Sequence, residues 1–176
     1  MTPPPLPYYP WYAVVSGIEL QQGDILEGCP TFAPIDRQGA DNELDFIRTR
    51  RDVIVITHSC DLRNSKPPAV LLCDVIQRSA IPPTHKLSKR DNLELARKGQ
   101  VPPFHVLAEC DIQGHERELS IIDFRHVYSL PFDFVKREAE RRLHLRLLPP
   151  YREHMSQAFA KFFMRIGLPA DIPPIR

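Results

Sequence analysis

Five side chains with chemical capacity stand in a row at Thr57-His58-Ser59-Cys60-Asp61, a short distance after Arg51. A nucleophilic thiol needs a partner that makes it a thiolate, most often a histidine. His58 is two residues from Cys60, and on an extended strand positions i and i+2 share a face, so the two could meet if the strand runs that far. His105 and His126 could reach the same place from other strands, and Asp61 could orient an imidazole. The plainer reading makes Cys60 a half-buried thiol at a strand end and Asp61 the cap of the turn that follows. No local signature of a cysteine hydrolase surrounds Cys60. Metal ligation lacks the usual tight pair: only His58-x-Cys60 is close, and the other Cys and His are scattered. A glycine-rich phosphate loop is also missing, with 7 Gly in the whole chain. Neither a metal nor a cofactor is expected.

These residues need a strand to hold them. Val53 to Thr57 is a continuous apolar or β-branched run, so it reads as a strand covered on both faces, with Arg51 and Asp52 at its solvated start. Val70 to Ile76 is a second such run about a dozen residues on, which predicts an antiparallel neighbour with Cys73 in the core. Further strands are expected near Ile25, at Phe46-Ile47, at Phe104–Leu107, at Leu119–Ile122 and Val127–Leu130, and at Leu143–Leu147. Gly28, Pro30 and Pro34 should break the first of these, residues 36–45 should form an exposed loop, and Arg63 to Pro68 a polar turn.

Helices are predicted at 89–98, where Ser88-x-x-Asp91 resembles a capping box and Gly99 a stop, and within Asp133–Arg142. The clearest helix runs from Tyr151 to Ile166. Met155, Ala158, Phe159, Phe162, Phe163 and Ile166 make one apolar face; His154, Gln157, Lys161 and Arg165 make the opposite one. That polar stripe could touch phosphates, although a solvated face is the commoner meaning. The fold class is therefore α+β: a mainly antiparallel sheet, plausibly a small barrel, with a basic helical insertion near 77–103 and a C-terminal amphipathic helix. The organisation divides into a Pro/aromatic arm at 1–18, the sheet domain at 19–148, and the helix with its Pro-rich tail at 149–176.

Composition bounds the rest. With 176 residues the default is one compact domain, and 19 Pro is about twice the usual share, which favours short elements joined by stiff connections. Residues 1–61 carry 4 basic and 9 acidic side chains, whereas residues 125–176 carry 10 and 5. Such asymmetry suits association with a charged partner or simply an uneven solvated surface. The aromatics of the arm (Tyr8, Tyr9, Trp11, Tyr12) should dock on the body or on a partner. There is no export signal and no membrane-length apolar run, so a cytoplasmic protein with four free thiols is expected.

Gln22-Gly23-Asp24-Ile25-Leu26, then a polar loop, then Val53–Thr57, resembles the opening of a MazF/PemK-type toxin. The resemblance covers about the first 75 residues. It implies an SH3-like barrel and, by family, RNA endonuclease activity. Thr57 would be the strand-end hydroxyl, and an Arg of the 37–51 loop the cation near the scissile phosphate, with His58, Arg51 and Asp61 as the groups available for cleavage. Arg51-Asp52 stands where the family has Arg-Pro, and His58–Asp61 has no counterpart. Three readings follow. The leading one is a binding or accessory module for protein interaction in a larger bacterial assembly, such as a defence or toxin–antitoxin system. The alternatives are a MazF/PemK-like ribonuclease, with RNA as partner, and a cysteine-dependent enzyme using Cys60. No membrane partner is expected.

Overall fold

The computed structural model describes residues 9–35, 46–64 and 67–164. Seven strands form one antiparallel sheet in the order β1-β7-β2-β3-β4-β6-β5. They are β1 (Tyr12–Val15), β2 (Asp24–Pro34), β3 (Phe46–Val55), β4 (Ala69–Gln77), β5 (Phe104–Leu107), β6 (Ser120–Pro131) and β7 (His144–Leu147). Four α-helices accompany them: α1 (Ser59–Asn64), α2 (Arg90–Arg97), α3 (Phe132–Glu140) and α4 (Tyr151–Phe163). The α+β class and the mainly antiparallel sheet are as predicted. The sheet is open, with β1 and β5 as its edge strands, yet those edges approach: the Tyr12 hydroxyl donates to the Ala108 carbonyl at 2.7 Å, one residue past β5.

One apolar cluster takes a side chain from every strand, among them Tyr12, Ile25, Ile54, Cys73, Leu107, Phe124 and Leu145. Met155 of α4 fills its open side, as the apolar face of that helix predicts. On the other face of the sheet, α3 covers a cluster containing Val53, Val55, Leu72 and Leu130, and α2 covers a third around Leu93, Phe104 and Ile121. Val53, Ile54 and Val55 alternate between the first two clusters and are all fully buried, which is why the run is continuous rather than alternating. Among the described residues no helix is long and apolar enough to cross a membrane.

Several elements differ from expectation. Part of the Pro/aromatic arm is strand β1, paired with β7 from Tyr12↔Leu147 to Val15↔His144. The arm docks on its own body, with Trp11 stacked on Tyr151 at 3.6 Å between centroids. Strand β2 runs through Gly28 and Pro30. Gly28, at φ +55°, sits in a register shift between Leu26 and Cys29. Beyond Ile25 no residue of β2 pairs with β7, so Pro30 removes no ladder bond on that side.

Phe46-Ile47 belongs to β3 itself, which ends at Val55 rather than Thr57. Residues 59–64 are helical where Arg63 was expected to open a turn. The two strands expected at 119–122 and 127–130 are one strand, β6. Its register against β4 jumps between Asp74↔Asp123 and Cys73↔Val127, leaving Phe124, Arg125 and His126 as a bulge. The capping box at α2 does not form, because the Ser88 hydroxyl donates to the Pro83 carbonyl instead. The predicted loop at 36–45, residues 1–8 and the 165–176 end of the chain, with Arg165 and the helix stop, lie outside the described residues.

Candidate functional site

Strand β3 ends at Val55, and after three intervening residues the chain enters α1. Backbone pairing with β4 continues one residue further, through Ile56 N–H to the Leu71 carbonyl at 2.9 Å. The Thr57 hydroxyl oxygen accepts from the Leu71 N–H at 2.8 Å, so this predicted site hydroxyl closes the β3–β4 ladder. The His58 Nδ1 accepts from the Cys60 N–H at 3.3 Å, while the His58 carbonyl accepts from Asp61 and Leu62. His58 is therefore the cap of α1. The i and i+2 geometry of a strand does not apply, because the strand has already ended. The His58 ring meets the backbone of Cys60.

The Ser59 hydroxyl accepts from the Gln22 N–H at 3.1 Å, and the buried Gln22 amide donates to the Ile56 carbonyl at 2.7 Å. This stitches the junction to the Gln21–Asp24 turn. There Gly23 adopts φ +89°, and an added Cβ would lie 3.1 Å from Leu147. Asp24 is fully buried and binds Arg146, with His144 nearby at 3.4 Å. The Gly-Asp pair that carries the toxin resemblance thus serves as an anchor between β2 and β7.

His58, Ser59 and Cys60 line an open groove of about 360 Å³ with Gln22 and with Arg152, Glu153, Ser156 and Gln157 of α4. Arg152 donates twice to one Glu153 oxygen, at 2.7 and 3.1 Å. Burial resists ionisation of that carboxyl, but the Arg152 hydrogen bonds prevail and hold it below the ordinary range. Cys60 is an exposed free thiol. Thr57, Asp61 and Arg51 do not line this groove. Asp61 is exposed in the first turn of α1. Arg51 stands four residues before the end of β3, about 13 Å away along the strand. The other thiols are core residues: burial pushes Cys29 up to about 11 and Cys73 up to about 12. Cys60→Ser is expected to change stability by less than about 0.5 kcal/mol, since the residue is exposed. Urea unfolding measures this, and a larger loss would return Cys60 to the core.

Arg51 belongs to a second polar cluster, at the β6 bulge. Asp74 and Asp123 face each other across β4 and β6, and each is almost fully buried. Arg51 reaches Asp74 at 3.2 Å, and Tyr128 also favours the ionised form of this carboxyl. Asp123 takes the Arg125 fork at 2.7 and 2.9 Å and the His126 Nδ1 at 3.2 Å. The Arg125 guanidinium also lies 4.7 Å from the Phe104 ring centroid. The bulge is what allows two consecutive residues, Arg125 and His126, to crowd one acid.

The two carboxyls are driven apart. Burial raises Asp74 against the opposing pull of Arg51. For Asp123, burial acts in the same direction, but Arg125 overcomes it and lowers the group. The signs for stability are therefore opposite. Asp123 stabilises the fold above the unfolded value of about 3.9, and that contribution is lost as pH falls through its lower folded value. Asp74 costs stability once pH exceeds about 3.9, and more so as pH rises through its raised folded value. Asp74→Asn should thus gain on the wild type as pH rises above about 4, whereas Asp123→Asn should stay below the wild type above about pH 4 and close that gap only as pH falls below it. Parallel pH dependence of both variants in urea unfolding would contradict this.

The residues missed by sequence reasoning carried a readable signal in one case. Asp74 and Asp123 interrupt apolar strand runs, where a charge is expensive unless paired. Arg152 and Glu153 carried none, since they look like an ordinary helix exterior. Comparison with models of known protein families gives no match, and no curated protein matches the chain.

Proposed function

We propose that this protein is a binding module of a larger assembly, and that its partner docks on the apolar depression at the C-terminal end of α4. The observation that carries this reading is the depression itself. Leu71 and Val127 of the sheet and Phe159, Phe162 and Phe163 of α4 line an open hollow of about 670 Å³, whose one charged lining residue among the described residues is Arg125. Phe163 is 60% exposed, and Met164 beside it is 78% exposed. Contiguous apolar surface of this kind marks protein interaction sites. The chemistry fits a partner segment that presents large apolar side chains with a carboxylate at its flank. The commitment of Thr57, His58 and Ser59 to backbone hydrogen bonds also favours binding over catalysis at that junction. A bacterial defence or toxin-like system is the setting that the MazF/PemK resemblance implies.

The test compares the full chain with Phe163→Asp in affinity capture from the native host after nuclease treatment. A stoichiometric protein held by the wild type and lost from the variant supports the module. Identical captures, or RNA alone, would defeat it.

A second reading, a MazF/PemK-like ribonuclease, is favoured by the bulge cluster, which gathers an imidazole, two buried carboxyls and two Arg. The SH3-like barrel it requires is supported by the Tyr12–Ala108 contact between the edges and by the cluster fed from all seven strands. Cleavage of RNA by the purified protein, abolished by both Arg51→Ala and His126→Ala, would establish this reading; persistence in either variant would sink it.

A further inference from the structure

Next to the Cys60 groove along α4, with Gln157 lining both, lies a cleft that neither reading uses. It opens between the end of α2, strand β5 and α4, and has a volume of about 360 Å³. Arg97 and Lys98 come from α2, His105 from β5, and His154, Gln157 and Lys161 from α4. Among the described residues no carboxylate lines it. The nearest acid of α2, Glu94, grips Arg97 at 2.7 Å and reaches Lys98 at 3.6 Å. Among the described residues Lys161 has no ion-pair partner. At the end of α2 the Lys98, Gly99 and Gln100 N–H groups donate to the Glu94, Ala96 and Leu95 carbonyls. The site thus holds an excess of positive charge, delivered by two separate elements.

His105 adds a second, independent feature. Its Nε2 is buried and has no hydrogen-bond partner among the described residues. Buried polar atoms are nearly always satisfied, so this orphan, set just beneath the wall that His105 contributes to the cleft, calls for a ligand atom that a small turn of the ring would bring it to. Burial, assisted by the positive charge of nearby His154, drives His105 down to about 4. At neutral pH it is an uncharged imidazole, able to make one directed hydrogen bond, while Lys161, Lys98 and Arg97 supply the charge. Phe124 stacks near the His105 ring at 6.4 Å and fixes its plane.

We propose that this cleft binds a phosphate group, with Lys161 and Lys98 as the cations and His105 Nε2 as the directing hydrogen-bond partner. Polar lining, mixed cations and one oriented neutral group suit phosphate better than a carboxylate, because phosphate offers several oxygens to converging donors. The volume admits a ligand up to about the size of a nucleotide. The phosphate could belong to a small phosphorylated compound or to the 5′ end of an RNA.

The experiment titrates the full chain with inorganic pyrophosphate, read by calorimetry and by the imidazole nitrogen signals in NMR. Saturable one-to-one binding that shifts His105 and His154 is expected. Lys161→Glu, an exposed change, should weaken it at least about tenfold, the loss of one charge-assisted contact. Lys136→Glu on α3 should leave it unchanged. His105→Phe keeps the ring volume beside Phe124, and should fold with unaltered circular dichroism yet bind more weakly. Competition by short RNA with a 5′-phosphate, but not by the same RNA without it, would assign the source to RNA ends; displacement by neither would assign it to small compounds. No saturable binding at millimolar pyrophosphate, or binding equally tight in Lys161→Glu, would overturn the site. The outcome is independent of the docking surface at Phe163.

Discussion

Phe124→Ala is expected to cost about 3–5 kcal/mol of unfolding free energy, a large part of the total stability of a domain this size. Phe124 is fully buried in the cluster to which all seven strands contribute. Its ring stands edge-on to Phe159 at 5.4 Å and lies 6.2 Å from Phe162, so it is the seat on which α4 rests. Truncation removes the transfer free energy of the ring and leaves a cavity between sheet and helix that neither can close. Because β6 is bulged at this point, the backbone is also tied at the Phe124 N–H to the Pro103 carbonyl at 2.9 Å, which limits relaxation. The drop should appear as a fall in Tm of roughly 10 °C or more. Phe124→Leu, which keeps most of the volume, should cost clearly less. Urea unfolding of both variants is the measurement. An Ala variant within about 1 kcal/mol of the wild type would mean that α4 does not depend on this ring. Both the docking hollow and the His105 cleft are built against Phe124, so binding at each should weaken in parallel with stability.

Gly17→Ala is expected to be of comparable size. A Cβ at Gly17 would stand 2.1 Å from the Ala139 carbonyl carbon, 2.2 Å from its oxygen and 2.4 Å from the Glu140 nitrogen. These are backbone atoms at the end of α3 and cannot swing aside as a side chain would. Either α3 or the segment that leaves β1 must move, and overpacking of this kind costs about 3 kcal/mol or more. Gly99→Ala separates space from strain. Its added Cβ meets nothing within 4 Å, but its φ is +70°. The cost there should be about 1–2 kcal/mol, from the left-handed backbone alone. Comparable losses at Gly17 and Gly99 in thermal unfolding would refute the close approach.

Local pattern carried a good deal of this protein. The unbroken Val53–Val55 run predicted a strand buried on both faces, and it is. The three- and four-residue spacing of Met155, Phe159 and Phe162 predicted the face by which α4 packs. In both cases a single element's own periodicity states which sides must leave water, and that is legible without knowing the neighbours. Charge inside the runs was a signal left unread: Asp74 and Asp123 stand in strands because Arg51, Arg125 and His126 pair them.

What only the tertiary structure decided is which residues meet. Thr57, His58, Cys60, Asp61 and Arg51 look like a constellation along the chain, but β3 ends at Val55. His58 then caps a helix and Thr57 completes a ladder, while Arg51 joins Asp74 one strand away. The Tyr12–Val15 segment became an edge strand because β7 offered it a free row of hydrogen-bonding groups, a fact located more than 120 residues away. The bulge that gathers Arg125 and His126 on Asp123 depends on the β4–β6 register. Likewise the phosphate cleft exists because α2 and α4, distant in sequence, end on the same side of β5. Contacts between elements are set by register and by the shape of a shared core, and neither is written in any one stretch of sequence.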